Sequence, residues 1–482
     1  MPRYDLDLFV LGAGAAGLTA AGTAATLGAK TMMVDAHRAG GDCTWTGCIP
    51  SKVLLHAADQ RARAAAFARD FGADGAVAPE ADTGRVLRHL RDVREAVYEH
   101  ADAPPVFEAM GVEVVRARAR LAGPHEAVLA GDDGERRVTF RMAVLCTGGR
   151  AAVPPVPGLD GVPFLTNETL FELDAAPAHL VVLGGGPIGC EMAQAFRRLG
   201  ADVTLVDRAD RLLPRDDADH AAILQAVLAR EGVRLVLDAS VDRAEATADG
   251  VRLHVTKPAP AHAGGGEAQT VDGSHLLVAT GRRPNVDGLG LDVAGVAFTD
   301  KGIRVDERCR TSQRHIWAAG DCTGEYALTH MSEHMAKTAV TNAIVKVPAR
   351  LDRKGVTWTT FTSPEMAQVG PTEAELTADG ERFETYSFPY HKVDRAITDG
   401  ATDGHIKVMA RRWTGRILGA SVVGERAGEV AAVFAVARKG GVSMATLSST
   451  ILAYPTYGLA ARRAADQWLV RKAFPGAVGV LR

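Results

Sequence analysis

The chain has 482 residues, 47% hydrophobic and 23% charged, with a formal net charge of −3. That length exceeds what one growing hydrophobic core supports, so two to four domains are expected. The charge balance leaves no basic surplus for nucleic acid or an anionic membrane, and six cysteines over this length are not a disulfide scaffold.

The opening residues, Met1-Pro-Arg-Tyr-Asp, carry no long apolar region or cleavage site, so no secretory signal is read. No stretch reaches the ~20 apolar residues of a spanning helix. A reducing cytoplasm is the expected setting. Residues 5–11 read as a strand ending at Gly12, residues 15–28 as a helix of small residues, and residues 30–34 as a strand ending at Asp35. This is the opening βαβ of a nucleotide-binding domain. Residues 40–69 begin with two glycines and carry Cys43 and Cys48 into a long Ala- and Arg-rich helical run. Residues 84–101 read as a further helix whose arginines form a solvated face, and residues 104–145 as short strands with polar turns.

Residues 150–163 are rich in proline and glycine and read as a domain linker. A second βαβ begins at residues 180–183 and repeats the first: strand, glycine turn, small-residue helix, strand, then Asp207. Residues 257–269 have no periodicity and read as a mobile surface hairpin tip. Beyond about residue 350, strands are expected at 356–361, 382–388, 405–410 and 417–423, with helices at 427–439 and 443–452. That is a separate α+β domain. The fold class is therefore α/β, with two Rossmann-like dinucleotide-binding units and a C-terminal α+β domain.

The chemistry sits first in the glycine turns. In Gly12-x-Gly14-x-x-Gly17, the first glycine allows a tight turn, the second a close approach to pyrophosphate, and the third close packing of helix on strand. The helix N-terminus then faces the anion, and Asp35 can accept from ribose hydroxyls. Gly184-x-Gly186-x-x-Gly189 with Asp207 repeats the pattern. Asp207 favours the free 2′-hydroxyl of NAD, whereas Arg208 and Arg211 could hold a 2′-phosphate. The reading leans to NADH over NADPH.

The second feature is Gly40-Gly41-Asp42-Cys43-Thr-Trp-Thr-Gly47-Cys48-Ile-Pro50-Ser-Lys52. The spacing lets one helical turn bring the two thiols within bonding range. None of the other four cysteines is close in sequence, which argues against a metal site. On these residues the chain resembles the class I pyridine nucleotide-disulfide oxidoreductases, in their mercuric-reductase-like and dihydrolipoyl-dehydrogenase-like branches. The likeness runs nearly end to end.

That resemblance implies an FAD-binding domain over residues 1–150 and an NAD(P)-binding domain over 151–275. It further implies a central domain over 276–349 that completes the FAD site, and an interface domain over 350–482 that builds a homodimer. Thr147-Gly148-Gly149 and Ala279-Thr-Gly281-Arg-Arg-Pro-Asn285 match the family's crossings between nucleotide domains. Ala318-Ala-Gly320-Asp321 matches the second FAD motif, whose aspartate bonds the ribityl chain. Leu328-Thr329-His330 lies where the family places backbone beneath the flavin pyrimidine ring, and Gly41 belongs to the same cofactor set. Electrons from NADH or NADPH would then pass through FAD to Cys48, the flavin-proximal sulfur, and out through Cys43. Lys52, paired with Glu191, would sit beside the flavin.

One family feature is missing. The His-Pro-x-x-x-Glu run that supplies the acid–base histidine across the dimer is here Tyr454-Pro455-Thr456-Tyr457-Gly458-Leu459. A phenol of pKa near ~10 is a poor base at neutral pH. His391 and His405 are the replacements to consider. The segment 474–482 has no cysteine pair of the kind mercuric reductases use, and no metal-binding module precedes residue 5. Three readings follow: a disulfide-active reductase of an unidentified small acceptor (a disulfide, metal ion or other oxidant); a diaphorase-like quinone or nucleotide-transfer reductase with an idle cysteine pair; and a non-catalytic, flavin-bound structural dimer.

Overall fold

The computed structural model describes residues 4–73, 75–77, 79–132, 134–258 and 266–473. The first sheet is built on Leu6–Leu11, whose residues other than Asp7 are buried, as expected of a strand covered on both faces. Thr31–Asp35 and then Val112–Arg116 lie parallel on one side of it, and Gly134–Leu145 lies parallel on the other. Gly134–Leu145 is long enough to serve two partners. Its second half pairs with Leu6–Leu11, and its first half forms an antiparallel ribbon with Glu126–Gly131 and Arg118–Gly123. Ile316–Ala318, far along the chain, returns to this sheet and pairs parallel with Gly134–Leu145.

The second sheet is all parallel, in the order Arg234–Val236, Asp202–Val206, His179–Leu183, His275–Val278, Phe164–Leu165. An antiparallel three-stranded sheet, Ser240–Thr247, Gly250–Lys257 and Glu267–Gly273, attaches to it. The expected hairpin tip over 257–269 falls largely on residues 259–265, outside the described residues. The two crossings between sheets, Gly149–Ala151 and Arg282–Pro284, pair antiparallel. The proline-rich stretch after the first crossing is packed rather than loose, since Leu159 and Val162 are buried.

The third sheet is antiparallel, in the order Thr357–Thr360, Glu365–Val369, Ile417–Gly424, His405–Ala410, Glu384–Pro389. Ala427–Lys439 and Leu459–Ala473 contribute Phe434 and Trp468 to the core over it. Among the described residues no helix is long and apolar enough to cross a membrane.

Two local expectations are corrected. The helical run over 40–69 is two helices, Gly41–Trp45 and Cys48–Phe71, broken at Gly47, where a side-chain Cβ would come within 2.7 Å of the Asp42 carbonyl oxygen. The arginines of Thr83–Val97 are not simply a solvated face. Arg94 is buried, and it donates to the Trp45 carbonyl at 2.9 Å and to Glu172 at 2.6 Å, while Arg91 reaches the Leu173 carbonyl at 3.0 Å. In the stretch Ala431–Val436, Ala431 and Phe434 turn onto their own sheet, while Ala432 and Val436 face outward. Farther along the domain Ile451 and Tyr454 are exposed as well.

Candidate active site

Each parallel sheet carries its glycine turn at a strand end. At the first, Gly12 has φ +110°, and a methyl there would lie 2.2 Å from the Cys146 carbonyl oxygen. A methyl on Gly17 would lie 1.8 Å from that of Gly12. Gly14 ends the turn and starts the helix Ala15–Thr26 without any side-chain cap, so the helix N–H groups face outward. Gly41 closes over it: at φ +58°, its added methyl would be 2.6 Å from the Gly14 Cα. This backbone-lined cradle, which any side chain would fill, fits the pyrophosphate of a dinucleotide. Asp35 accepts from the Ala13 N–H at 2.7 Å and the His37 N–H at 2.8 Å.

The second turn is built alike. A methyl on Gly184, at φ +116°, would lie 2.4 Å from the Ala279 carbonyl oxygen, and one on Gly189 would lie 1.8 Å from that of Gly184. Gly186 faces open space. Asp207 accepts from the Gly185 N–H and, at 2.7 Å, from that of Ala209. Arg211 points elsewhere. Its guanidinium donates to the carbonyls of Leu213, Pro214 and Asp216 at 2.9, 2.8 and 3.1 Å, which binds the following loop. Arg208 stays exposed.

The cysteine turn leaves the first unit and is pinned from several sides. Arg38 lies over both the Trp45 and Tyr98 rings, 4.1 and 4.2 Å from their centroids, and Arg94 holds the Trp45 carbonyl. Cys43 sits in the short helix, and Cys48 opens the long one. The two sulfurs are hydrogen-bonded to each other, which draws the Cys48 thiol down to about 6, helped by the Thr329 hydroxyl and the charge of Lys52. The same hydrogen bond, with burial, pushes the Cys43 thiol well up. Cys48 Sγ lies 3.2 Å from Thr329 Oγ1, at the first turn of the helix Thr329–Val340. A helix N-terminus and a hydroxyl donor both favour a thiolate there.

Lys52, on the turn after Cys48, places Nζ 2.9 Å from Glu191 Oε2. Glu191 is buried on Pro187–Arg198, the helix of the second glycine turn, and its other oxygen accepts from the Phe361 N–H at 2.9 Å. The ion pair therefore joins all three sheets beside the cysteine helix. Asp321 meets Arg282 Nε at 3.0 Å, and the same guanidinium reaches Asp42 and the Gly149 carbonyl. Burial raises the Asp321 carboxyl. Thr147 and Asn285 exchange two hydrogen bonds, at 2.7 and 3.0 Å, around Gly148, whose φ is +66°. Gly281 has φ +123° on the return crossing. Leu328 is the extended residue before the Thr329 helix, and His330 Nε2 donates to the Thr357 carbonyl at 2.7 Å.

A cavity of about 580 Å³ opens at Cys43, with Thr44, Asp102, Thr329 and Glu333 in its wall. Neither replacement histidine is among the residues that line it. His405 instead faces the buried His220 at 2.9 Å, and His220 meets Ser421 at 2.8 Å. Tyr454 is 71% exposed, and Leu459 is buried in its own domain. Sequence reasoning missed Asp102 and Glu333. Asp102 lies 59 positions after Cys43 and at the end of a π-helical turn, so no local spacing announces it.

Two family models match the chain: pyridine nucleotide-disulphide oxidoreductase over residues 6–336, and the dimerisation domain of the same family over residues 356–465. Mercuric reductase of Streptomyces lividans is 34% identical over 462 residues, 95% of each chain. Dihydrolipoyl dehydrogenase of Geobacillus stearothermophilus is 32% identical over 463 residues, 96% of each. Among solved structures, LpdA from Mycobacterium tuberculosis superposes with a TM-score of 0.86 at 29% identity, covering 96% of this chain and 99% of that one. The Cu(II) complex of the HOCl-induced flavoprotein disulfide reductase RclA from Escherichia coli gives 0.82 at 26%, covering 97% and 100%. With a glycine cradle for FAD and the paired sulfurs of Cys43 and Cys48, the protein is an FAD-dependent oxidoreductase with a redox-active disulfide segment. The chain belongs to the pyridine nucleotide-disulphide oxidoreductases, with both the catalytic and the dimerisation regions of that family.

Proposed function

We propose that the protein takes electrons from NADH and delivers them through Cys48 and Cys43 to a small acceptor that needs no proton shuttle from the protein. FAD, when bound, supplies two-electron transfer between the nicotinamide and the disulfide. Gly12, Gly14, Gly17 and Gly41 would hold its pyrophosphate, Asp35 its adenosine ribose and Asp321 its ribityl chain. Thr147, Gly148, Gly281 and the Leu328–His330 backbone would frame the rest. Gly184, Gly186, Gly189 and Asp207 would hold the nicotinamide nucleotide. With Arg211 turned to its own loop, only Arg208 is left to favour a 2′-phosphate, which supports NADH. Glu191 fixes Lys52, and Lys52 keeps the Cys48 sulfur anionic. Cys43 holds the proton of the reduced pair and meets the acceptor. Residues 350–482 would build a homodimer, with the outward Val436, Ile451 and Tyr454 in its contact. A reducing cytoplasm suits the cycling pair.

The observation that carries this reading is the placement of the pair: Cys48 against the Thr329 hydroxyl at 3.2 Å, and Cys43 at a cavity with no histidine in its described wall. Thiol–disulfide exchange with an organic disulfide needs a base that this chain does not offer at position 454. A positioned acid–base group contributes ~10²–10⁴ in rate. Mercuric reductase and the Cu(II) complex among the compared proteins put metal ions in the panel of acceptors to try. The test is anaerobic turnover with NADH against glutathione disulfide, lipoamide, Hg(II), Cu(II) and quinones. Both disulfides should be poor, and Tyr454→His with Leu459→Glu should improve them. Cys43→Ala should stop reduction of the true acceptor. Brisk wild-type reduction of either disulfide would overturn the proposal, as would full activity in Cys43→Ala.

A further inference from the structure

The wall of the Cys43 cavity has a sign. Its ionisable side chains, among the described residues, are Cys43, Asp102 and Glu333, with no lysine, arginine or histidine beside them. The two carboxylates come from different parts of the chain. Asp102 ends the turn Tyr98–Asp102, and Glu333 lies one helical turn beyond Thr329, on the same face of that helix. Asp102 is fixed close to the thiol, because it accepts from the hydroxyl of Thr44, the residue next to Cys43. It is also backed by Gly40, where a methyl would come 3.1 Å from Asp102 Oδ2.

We propose that Asp102 and Glu333 make the mouth of Cys43 select a small acceptor that carries positive charge, a divalent metal ion or an organic dication, over an anionic disulfide. The proposal rests on the reading of Cys43 as the sulfur that meets the acceptor. Burial raises the Asp102 carboxyl, and that desolvation is relieved when a cation comes alongside. An approaching carboxylate instead meets two like charges in a concave wall, where field lines are focused. Repulsion of this kind discriminates by excluding the wrong partner as well as by attracting the right one. Thr44 acts here as a positioning residue for Asp102.

The test reads the sign of the field at the sulfur without requiring turnover. The purified Cys48→Ser flavoprotein, in which no neighbouring thiolate can displace a label from Cys43, is treated anaerobically with three methanethiosulfonates: a trimethylammonium-ethyl cation, a neutral methyl reagent and a sulfonato-ethyl anion. In each case Cys43, on losing its proton to solvent, forms a mixed disulfide with the reagent sulfur and methanesulfinate leaves. Label at Cys43 is mapped by peptide mass, and each rate is divided by that of free 2-mercaptoethanol. The normalised cation-to-anion ratio should be on the order of tenfold or more at low salt. It should fall at least about threefold when Asp102→Asn and Glu333→Gln are added, and with both carboxylates present it should collapse as ionic strength rises. The salt arm stands even where the double variant fails to fold. Reoxidation of the reduced wild type by Cu(II) and by cystamine, against the anionic dithiodiglycolate, tells which source of positive charge is used. A Cys43 labelled equally by all three reagents, or a ratio unmoved by both salt and the variants, overturns the charge selection alone. A Cys43 that no reagent labels overturns the underlying reading and this inference with it.

Discussion

The two glycine turns of this molecule are nearly the same object in backbone terms, yet their surroundings differ. Gly12 and Gly184 take φ of +110° and +116°, and Gly17 and Gly189 would each drive a methyl to 1.8 Å from the first glycine's carbonyl oxygen. Asp35 and Asp207 each accept from the N–H of the residue after that first glycine. The difference lies at the middle glycine. Gly14 is roofed by Gly41, while Gly186 has nothing within 4 Å of its missing side chain. The first sheet is also revisited by Ile316–Ala318, which leads into Asp321. Similar turns thus make one enclosed site, suited to a cofactor that stays, and one open site, suited to a nucleotide that comes and goes.

The sharpest way to break this contrast is to add a side chain on each side of it. Gly41→Val puts a branched side chain at a positive φ and against the Gly14 backbone. It should abolish FAD retention: the purified variant should lack absorbance near ~450 nm, while wild type carries one FAD per chain. Gly186→Ala should keep its flavin but raise the KM for NADH by more than about tenfold, or over about 1.4 kcal/mol, because its methyl, which meets no protein atom, would stand where the nucleotide pyrophosphate approaches the backbone. A yellow Gly41→Val protein would show that the roof is not part of the cofactor site.

A smaller effect is expected at the acids. Asp207 should favour NADH over NADPH by roughly tenfold in kcat/KM, the scale of about 1.4 kcal/mol. Asp207→Asn should narrow that ratio and leave the bound flavin untouched, whereas the matching change at Asp35 should act on flavin retention instead. Steady-state kinetics with both nucleotides decides. A wild-type preference for NADPH would mean that Arg208 outweighs the acid.

Much of this contrast was legible in the sequence, because each glycine turn is a local pattern with its strand, helix and distal acid in fixed order. The parallel sheets and the dimerisation-region strands read at 405–410 and 417–423 were legible for the same reason, since period and turn residues are local signals. What could not be read was long-range. Glu365–Val369 sits in the middle region of the third sheet but follows Thr362-Ser363-Pro364 and looks like loop. The helix Leu459–Ala473 mixes arginines with alanines, and its buried alanines carry no strong apolar stripe. Asp102 comes to Thr44 across 58 positions, and Thr329 to Cys48 across 281. The break at Gly47 also escaped, because a glycine between two helix-forming stretches reads as a tolerated interruption until the Asp42 carbonyl is seen against it.

The smallest expected effect tests how the enclosed site tunes its own sulfur, for which the open site has no counterpart. The Cys48 thiol is lowered to about 6 from an ordinary value of 9.0, by its hydrogen bond from Cys43, by Thr329 and by Lys52, against the opposing effect of burial. A depressed thiol pKa means the anion persists as pH falls from the ordinary thiol range until about 6, and is lost below it. In the two-electron-reduced protein, a long-wavelength absorption from the Cys48 thiolate against oxidised flavin should therefore be present at pH 7 and fade on acidification through about pH 6. Thr329→Ala removes the hydroxyl 3.2 Å from the sulfur and leaves the helix start in place. It should raise the midpoint of that fading by about one pH unit, equivalent to about 1.4 kcal/mol. Lys52→Met should move it the same way, since the cation also favours the anion. The band should vanish in Cys48→Ala at every pH and survive in Cys43→Ala, with a higher midpoint because the strongest donor to the anion is gone. A midpoint that stays near 6 in both Cys43→Ala and Thr329→Ala would show that neither donor holds the charge. The depression would then have to come from Lys52 and the helix N-terminus alone.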